Sequence, residues 1–131
     1  MRIAITADGD SPDSFVDSRF TTAWYVLAFD PADGQWEAVK FSLWSRRQKY
    51  SGQSRAGLLA EKNVGVLITG GVNPVSFREL GKRGITIFRA PDCCLVREAA
   101  QLFAAGRLPV MRAPDAVDVT RLTKRRATIK A

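Results

Sequence analysis

The order of its short apolar runs restricts this chain to a narrow set of folds. Three runs with strand character come first: Arg2–Asp8, the aromatic and β-branched run Thr21–Phe29, and the alternating run Gln35–Leu43. Two further buried-strand patterns, Val64–Thr69 and Ile85–Phe88, follow at helix-length intervals. A hairpin is therefore predicted first, followed by two strand-helix-strand units.

The segments between and after the later runs have helix signals. Ser51–Lys62 is predicted as a helix with Ser51 as its N-cap. The next helix is expected to begin with Asn73 as N-cap and Pro74 in the first turn. Asp92 is the predicted cap of a last helix over Cys93–Ala105.

This order predicts an α/β fold with three α/β/α layers and one mixed five-stranded sheet. With the first strand central, the strand order is 3-2-1-4-5, as in ribonuclease-H-like folds. Ligands of open α/β sheets bind beyond the carboxyl ends of the strands, where the order reverses. The expected crevice therefore lies between strands 1 and 4, lined by Gly9–Phe20 and Gly70–Pro74.

Composition excludes several kinds of chemistry. The chain has no histidine, which removes Ser-His-Asp and Cys-His nucleophile pairs and His-ligated zinc. Its only cysteines are the neighbours Cys93 and Cys94, which are poorly placed for a strain-free disulfide and fit a reducing compartment. Nuclease chemistry needs several converging carboxylates, and Asp8 is the only well-placed candidate, so we do not expect nuclease activity.

The chain of 131 residues has the length of one domain, and its charge is uneven. The net charge is +7, and most of it lies in the last 25 residues. We therefore expect one domain over residues 1–108 and a basic C-terminal extension over residues 109–131, with a possible edge strand at Val117–Leu122. No apolar run approaches the roughly 20 residues of a spanning helix, which predicts a cytoplasmic protein without a membrane partner.

The sharpest local signal is the turn after the fourth strand, formed by Thr69, Gly70, Gly71, Asn73 and Pro74. Two glycines let a ligand approach the backbone, and a helix start presents free N–H groups, so the turn is a candidate anion site. The alternative interpretation is an ordinary tight connection between strand and helix.

Three other groups each allow a functional and a structural interpretation. Arg19 can face an anion with Phe20 covering it and Asp17 beside it, or Asp17 and Arg19 are solvated and Phe20 belongs to the core. Cys93 and Cys94, at a predicted helix N-terminus, can be soft metal ligands or inert buried thiols. The third group is basic and is either an anion-attracting patch or a solvated face. Its members are Arg46, Arg47, Lys49 and Arg55.

Several segments together resemble one family. They are Met1–Ala7 with Asp17–Phe20, the glycine-led helix Ser51–Lys62, the strand, turn and Pro-x-x-Phe helix start of Val64–Phe77, the strand Gly84–Phe88, and the helix end at Phe103–Leu108. In order and spacing they resemble the dinitrogenase iron-molybdenum cofactor biosynthesis family, which comprises NifX-like and orange protein-like accessory domains.

This resemblance implies a small carrier or scaffold, not an enzyme, that binds an anionic metal-sulfur cluster, in metal-cluster assembly or delivery. The cluster would contain molybdenum with iron or copper, although the isolated protein can also be empty. The resemblance adds Ser51, Gly52 and Phe77 to the cofactor-binding residues. It implies cluster-assembly or acceptor proteins as partners.

A second function remains open at this point. The domain can instead be a cluster-free regulatory module whose basic tail docks an acidic protein or, less expected, nucleic acid. The edge strand Gln35–Leu43 also permits a homodimer.

Overall fold

A mixed five-stranded sheet forms the centre of the protein. The computed structural model describes residues 1–41 and 52–114. The strands are β1 (Arg2–Ala7), β2 (Tyr25–Phe29), β3 (Trp36–Lys40), β4 (Val64–Thr69) and β5 (Thr86–Arg89). Their order is β3-β2-β1-β4-β5, with β1 antiparallel to β2 and parallel to β4. The predicted strand order is confirmed. The order reverses between β1 and β4, because β2 and β3 lie on one side of β1 while β4 and β5 lie on the other.

Helices cover both faces of the sheet. They are α1 (Gly52–Glu61), α2 (Pro74–Lys82) and α3 (Val96–Ala104). One core contains Ala4 of β1 with Leu59 of α1 and Leu80 of α2, while the other contains Ile5 of β1 with Val96 of α3. Because neighbouring residues of a strand point to opposite faces, β1 separates the two cores. The α/β fold with three layers is confirmed.

The second strand begins four residues later than the sequence pattern predicts. Thr21–Phe29 is uniformly favourable for a strand, yet β2 begins at Tyr25. The backbone carbonyls of Phe20 and Ala23 accept hydrogen bonds from the buried guanidinium of Arg55, at 2.9 and 2.7 Å. These carbonyls turn toward α1, so the segment before Tyr25 forms a turn. The solvated-face interpretation of the basic set is therefore wrong for Arg55, whereas Arg46, Arg47 and Lys49 lie outside the described residues.

The last helix also begins later than predicted. Cys93 has a φ of 57°, which a right-handed helix does not accommodate, and Leu95 is extended. The first N–H groups of α3 are bound by the loop after β1: Val96 donates to the Ser14 carbonyl and Arg97 to the Pro12 carbonyl, both at 2.8 Å. The prediction that Asp92 caps the helix and that both cysteines lie at its N-terminus is therefore wrong, because a distant loop determines where α3 starts.

Part of the predicted extension packs against the domain. Val110 forms an antiparallel bridge with Phe88, and Met111 donates to the Ile87 carbonyl at 2.8 Å. The Met111 side chain is buried in the core beneath α1 and α2. Val117–Leu122 lies outside the described residues. Within residues 1–41 and 52–114, no helix is long and apolar enough to cross a membrane.

The start of α2 generates a stability prediction. Asn73 is its N-cap as expected, and its side-chain oxygen accepts from the Ser76 N–H at 2.8 Å. We expect Asn73→Ala to lower the free energy of unfolding by about 1 kcal/mol, because that N–H loses its partner. Asn73→Ser, which keeps a capping oxygen, is the matched control. Urea denaturation of both variants measures the difference, and equal stability of Asn73→Ala and wild type would contradict the assignment.

Candidate functional site

The loop that follows β1 is fastened to the end of β4 through one backbone carbonyl. The Asp17 carbonyl oxygen accepts from the Gly70 N–H at 3.3 Å and lies 3.1 Å from the Thr6 hydroxyl. That hydroxyl is buried and lies 2.8 Å from the hydroxyl of Thr69. The Asp17 N–H in turn donates to the Thr6 carbonyl at 2.9 Å. These contacts join the two predicted segments at the place where the sheet order reverses.

The first glycine of the turn, Gly70, is required by how closely the two segments approach. A Cβ on Gly70 would lie 2.6 Å from the Cα of Ser18, which is a backbone atom that has little freedom to move. One residue further, the Phe20 N–H donates to the Gly71 carbonyl at 3.0 Å. The Gly70 N–H is used in a hydrogen bond within the protein, to the Asp17 carbonyl.

Phe20 follows the structural interpretation. Its side chain is fully buried and meets the ring of Phe41 edge-to-face, with centroids 5.8 Å apart. Arg55 holds the Phe20 carbonyl and lies over the Phe41 ring, with its guanidinium carbon 4.3 Å from the centroid. In this conformation Phe20 is a core residue that links α1 to the glycine turn, and it does not cover the crevice.

The remaining predicted residues divide into buried and accessible ones. Thr69 is fully buried, Asn73 is engaged as a helix cap and Phe77 packs against the core. Pro74 is exposed at the start of α2. Gly52 is the first residue of α1, and Ser51 lies outside the described residues.

An open groove of about 380 Å³ lies beside the joined segments. Its lining residues come from the loop after β1 and from the turn after β5: Asp8, Phe15, Val16, Asp17, Ser18 and Cys93. Phe15 is half exposed, at 51%. An aromatic residue in an otherwise polar loop was the available signal for this residue, which the sequence analysis did not single out.

The sequence predicts an anion site at this edge of the sheet, but the wall of the groove is negatively charged. Two carboxylates line it, and each has an oxygen engaged by the backbone: Asp8 accepts from the Phe15 N–H and Asp17 from the Arg19 N–H, both at 3.1 Å. The side chain of Arg19 is exposed and has no ion-pair partner among the described residues. The groove therefore combines negative charge on its wall with the exposed cation of Arg19 further along the same loop.

The two cysteines have different environments. Cys93 is exposed, and it lines both this groove and a second one of about 460 Å³ beside α3. Cys94 is buried, and its thiol lies 3.4 Å from the Leu95 carbonyl oxygen. Burial raises the pKa of the Cys94 thiol, and the negative charge of Glu98 adds to that effect. The interpretation as an inert buried thiol therefore fits Cys94 and not Cys93.

No set of three or more His, Cys, Asp or Glu side chains converges as a metal site in the part of the chain that the structure describes. These residues alone therefore do not form a closed ligand cage.

The two thiols are expected to differ in reactivity. With iodoacetamide at pH 8, Cys93 should be alkylated rapidly and Cys94 slowly, because Cys94 is buried and its raised pKa keeps it protonated. Cys93→Ser should remove the fast phase in mass spectrometry, and Cys94→Ser should leave it. A fast phase that persists in Cys93→Ser would contradict this assignment.

Comparisons with known proteins agree with the fold. The apo orange protein from Desulfovibrio gigas is 34% identical with a TM-score of 0.77, covering 86% of this chain and 94% of its own. A candidate NifB protein of the DUF35 family from Thermotoga is 28% identical with a TM-score of 0.71, covering 83% and 91% of the two chains. A candidate dinitrogenase from Methanocaldococcus jannaschii, 20% identical with a TM-score of 0.64, shares the fold and covers 87% of this chain and 97% of its own.

Comparison of the sequence with curated proteins finds no match. The family described as dinitrogenase iron-molybdenum cofactor matches residues 1–106, which include the five strands and three helices that the structure describes and both joined segments. On this match the chain belongs to the dinitrogenase iron-molybdenum cofactor family.

Proposed function

We propose that this protein is a non-enzymatic carrier or scaffold for an anionic metal-sulfur cluster that contains molybdenum with iron or copper. Family membership and the likeness to the orange protein support a role in metal-cluster handling related to the iron-molybdenum cofactor. The observation that carries the proposal is the union of the Asp17–Phe20 segment with the Gly70–Gly71 turn beside an open groove.

The accessible groups suit a cluster as cargo. Sulfide-rich clusters accept hydrogen bonds, which the Ser18 hydroxyl and the Arg19 guanidinium can donate. The exposed part of Phe15 offers apolar contact, and the accessible Cys93 thiol is the soft ligand that copper(I) or iron prefers. These groups come from two segments that are joined by backbone contact, including a hydrogen bond from the Val16 N–H to the Cys94 carbonyl at 2.8 Å.

The proposed role includes transfer of the cargo. An open groove with few potential ligands can release a cluster to a second protein more readily than a closed cage can. Cluster-assembly and acceptor proteins are therefore the proposed partners, with the groove as the point of exchange.

Anaerobic loading with tetrathiomolybdate and copper(I), followed by visible absorption, tests the proposal. Gly70→Ala should weaken loading by about tenfold or more, because the added Cβ forces Ser18 and Gly70 apart. Gly81→Ala is the matched control, since a Cβ there meets no atom within 4 Å. Absence of loading in wild type, or equal loading of both folded variants, would count against the proposal.

A second substitution tests the thiol. Cys93→Ser should reduce copper retention more than molybdenum retention, because a hydroxyl is a poor ligand for copper(I). Metal analysis after gel filtration measures both metals. Cys94→Ser, at the buried neighbour, is the control, and unchanged copper retention in Cys93→Ser would exclude Cys93 as a ligand.

A further inference from the structure

A buried arginine is hydrogen-bonded to the end of the Asp17–Phe20 segment. Arg55 is only 7% exposed, and its Nη1 atom donates to the carbonyls of Phe20 and Ala23 at 2.9 and 2.7 Å. Its Nε atom is buried and has no hydrogen-bond partner among the described residues. Burial lowers the pKa of the guanidinium to about 10, while the negative charge of Asp17 acts in the opposite direction.

Packing alone does not account for this residue. A buried guanidinium is costly unless it is paired, and within residues 1–41 and 52–114 no carboxylate lies at ion-pair distance from Arg55. Its compensation comes from two backbone carbonyls and from the face of the Phe41 ring. An apolar side chain of similar length would fill the space without that cost, so the charge and the donors themselves require an explanation.

The hydrogen bonds of Arg55 continue into the site. Arg55 fixes the carbonyl of Phe20, and the N–H of Phe20 donates to the Gly71 carbonyl. Gly70 then donates to the Asp17 carbonyl, which completes a path from α1 to the wall of the groove. Loss of the first bond frees the Phe20 backbone, and with it the contact that holds the glycine turn.

The charge of Arg55 acts on the same wall. Asp17 lines the groove, and its negative charge opposes the lowering of the Arg55 pKa, so the two side chains interact electrostatically. Water screens such an interaction weakly when one partner is buried.

We infer that Arg55 is a positioning residue, which holds the Asp17–Phe20 segment against the double-glycine turn and raises the affinity of the groove for an anionic cluster. The affinity part of this inference rests on the proposed carrier function. The positioning part rests on the contacts of the protein alone.

The test compares Arg55→Met, Arg55→Lys and Arg55→Gln with wild type. Two quantities are measured: hydrogen exchange of the Phe20 and Gly70 amides by NMR, and the dissociation constant for tetrathiomolybdate. Arg55→Met should expose both amides to faster exchange and weaken binding by about tenfold or more, because a charged double hydrogen bond is lost. Arg55→Lys, which keeps a charged donor, should stay within about threefold of wild type.

Val64→Ala is the control for general loss of stability. Val64 is buried in the same core but begins β4, at the opposite end of the strand from the glycine turn. It should lower the free energy of unfolding while leaving binding by the folded protein unchanged. If Val64→Ala weakens tetrathiomolybdate binding in proportion to its instability, as Arg55→Met does, the special role of Arg55 is overturned.

The remaining outcomes also decide the question. Wild-type binding and amide exchange in a folded Arg55→Met variant would overturn the inference. If that variant does not fold, Arg55→Gln replaces it, since a neutral amide reaches fewer acceptors, and wild-type values for both quantities would again overturn the role. If wild type binds no tetrathiomolybdate, the carrier function fails, and amide exchange alone then decides whether Arg55 positions the segment.

Discussion

The whole candidate site depends on the backbone of Asp17. Its carbonyl accepts from Gly70 and lies against the hydroxyl of Thr6, while its N–H returns to the Thr6 carbonyl. The hydroxyls of Thr6 and Thr69 are paired and buried at the ends of adjacent strands, so Asp17 is bound to a rigid part of the sheet. A long polar loop would otherwise have considerable freedom, and this fastening gives the groove a defined wall.

The balance of charge follows from the same arrangement. Asp8 and Asp17 bring negative charge to the groove, yet each gives one oxygen to a backbone N–H of its own loop. Two arginines are positive: Arg19, which is exposed on the same loop, and Arg55, which is buried and hydrogen-bonded to Phe20. The groove therefore has charges of both signs and one accessible thiol nearby, and the proposed carrier function depends on this combination.

Long-range contacts explain where local patterns gave wrong boundaries. Thr21–Phe29 has the composition of a strand throughout, but a side chain 32 residues further along the chain captures the Ala23 carbonyl and delays β2. Asp92 is a good capping residue, but the carbonyls of Pro12 and Ser14 bind the first amides of α3 instead. In both places a partner that is distant in sequence satisfies backbone groups that local propensity cannot account for.

The sequence by itself determined the strand order and the meeting of the segments around Asp17 and Gly70, because alternating runs and crossover connections leave few other arrangements. It also determined the start of α2, since Asn73 and Pro74 act on adjacent backbone atoms. Only the tertiary structure decided that Phe20 is core, that Arg55 is buried and that Cys93 faces the groove while Cys94 does not. Burial and partner choice depend on atoms from distant parts of the chain, and a linear pattern contains no record of those distances.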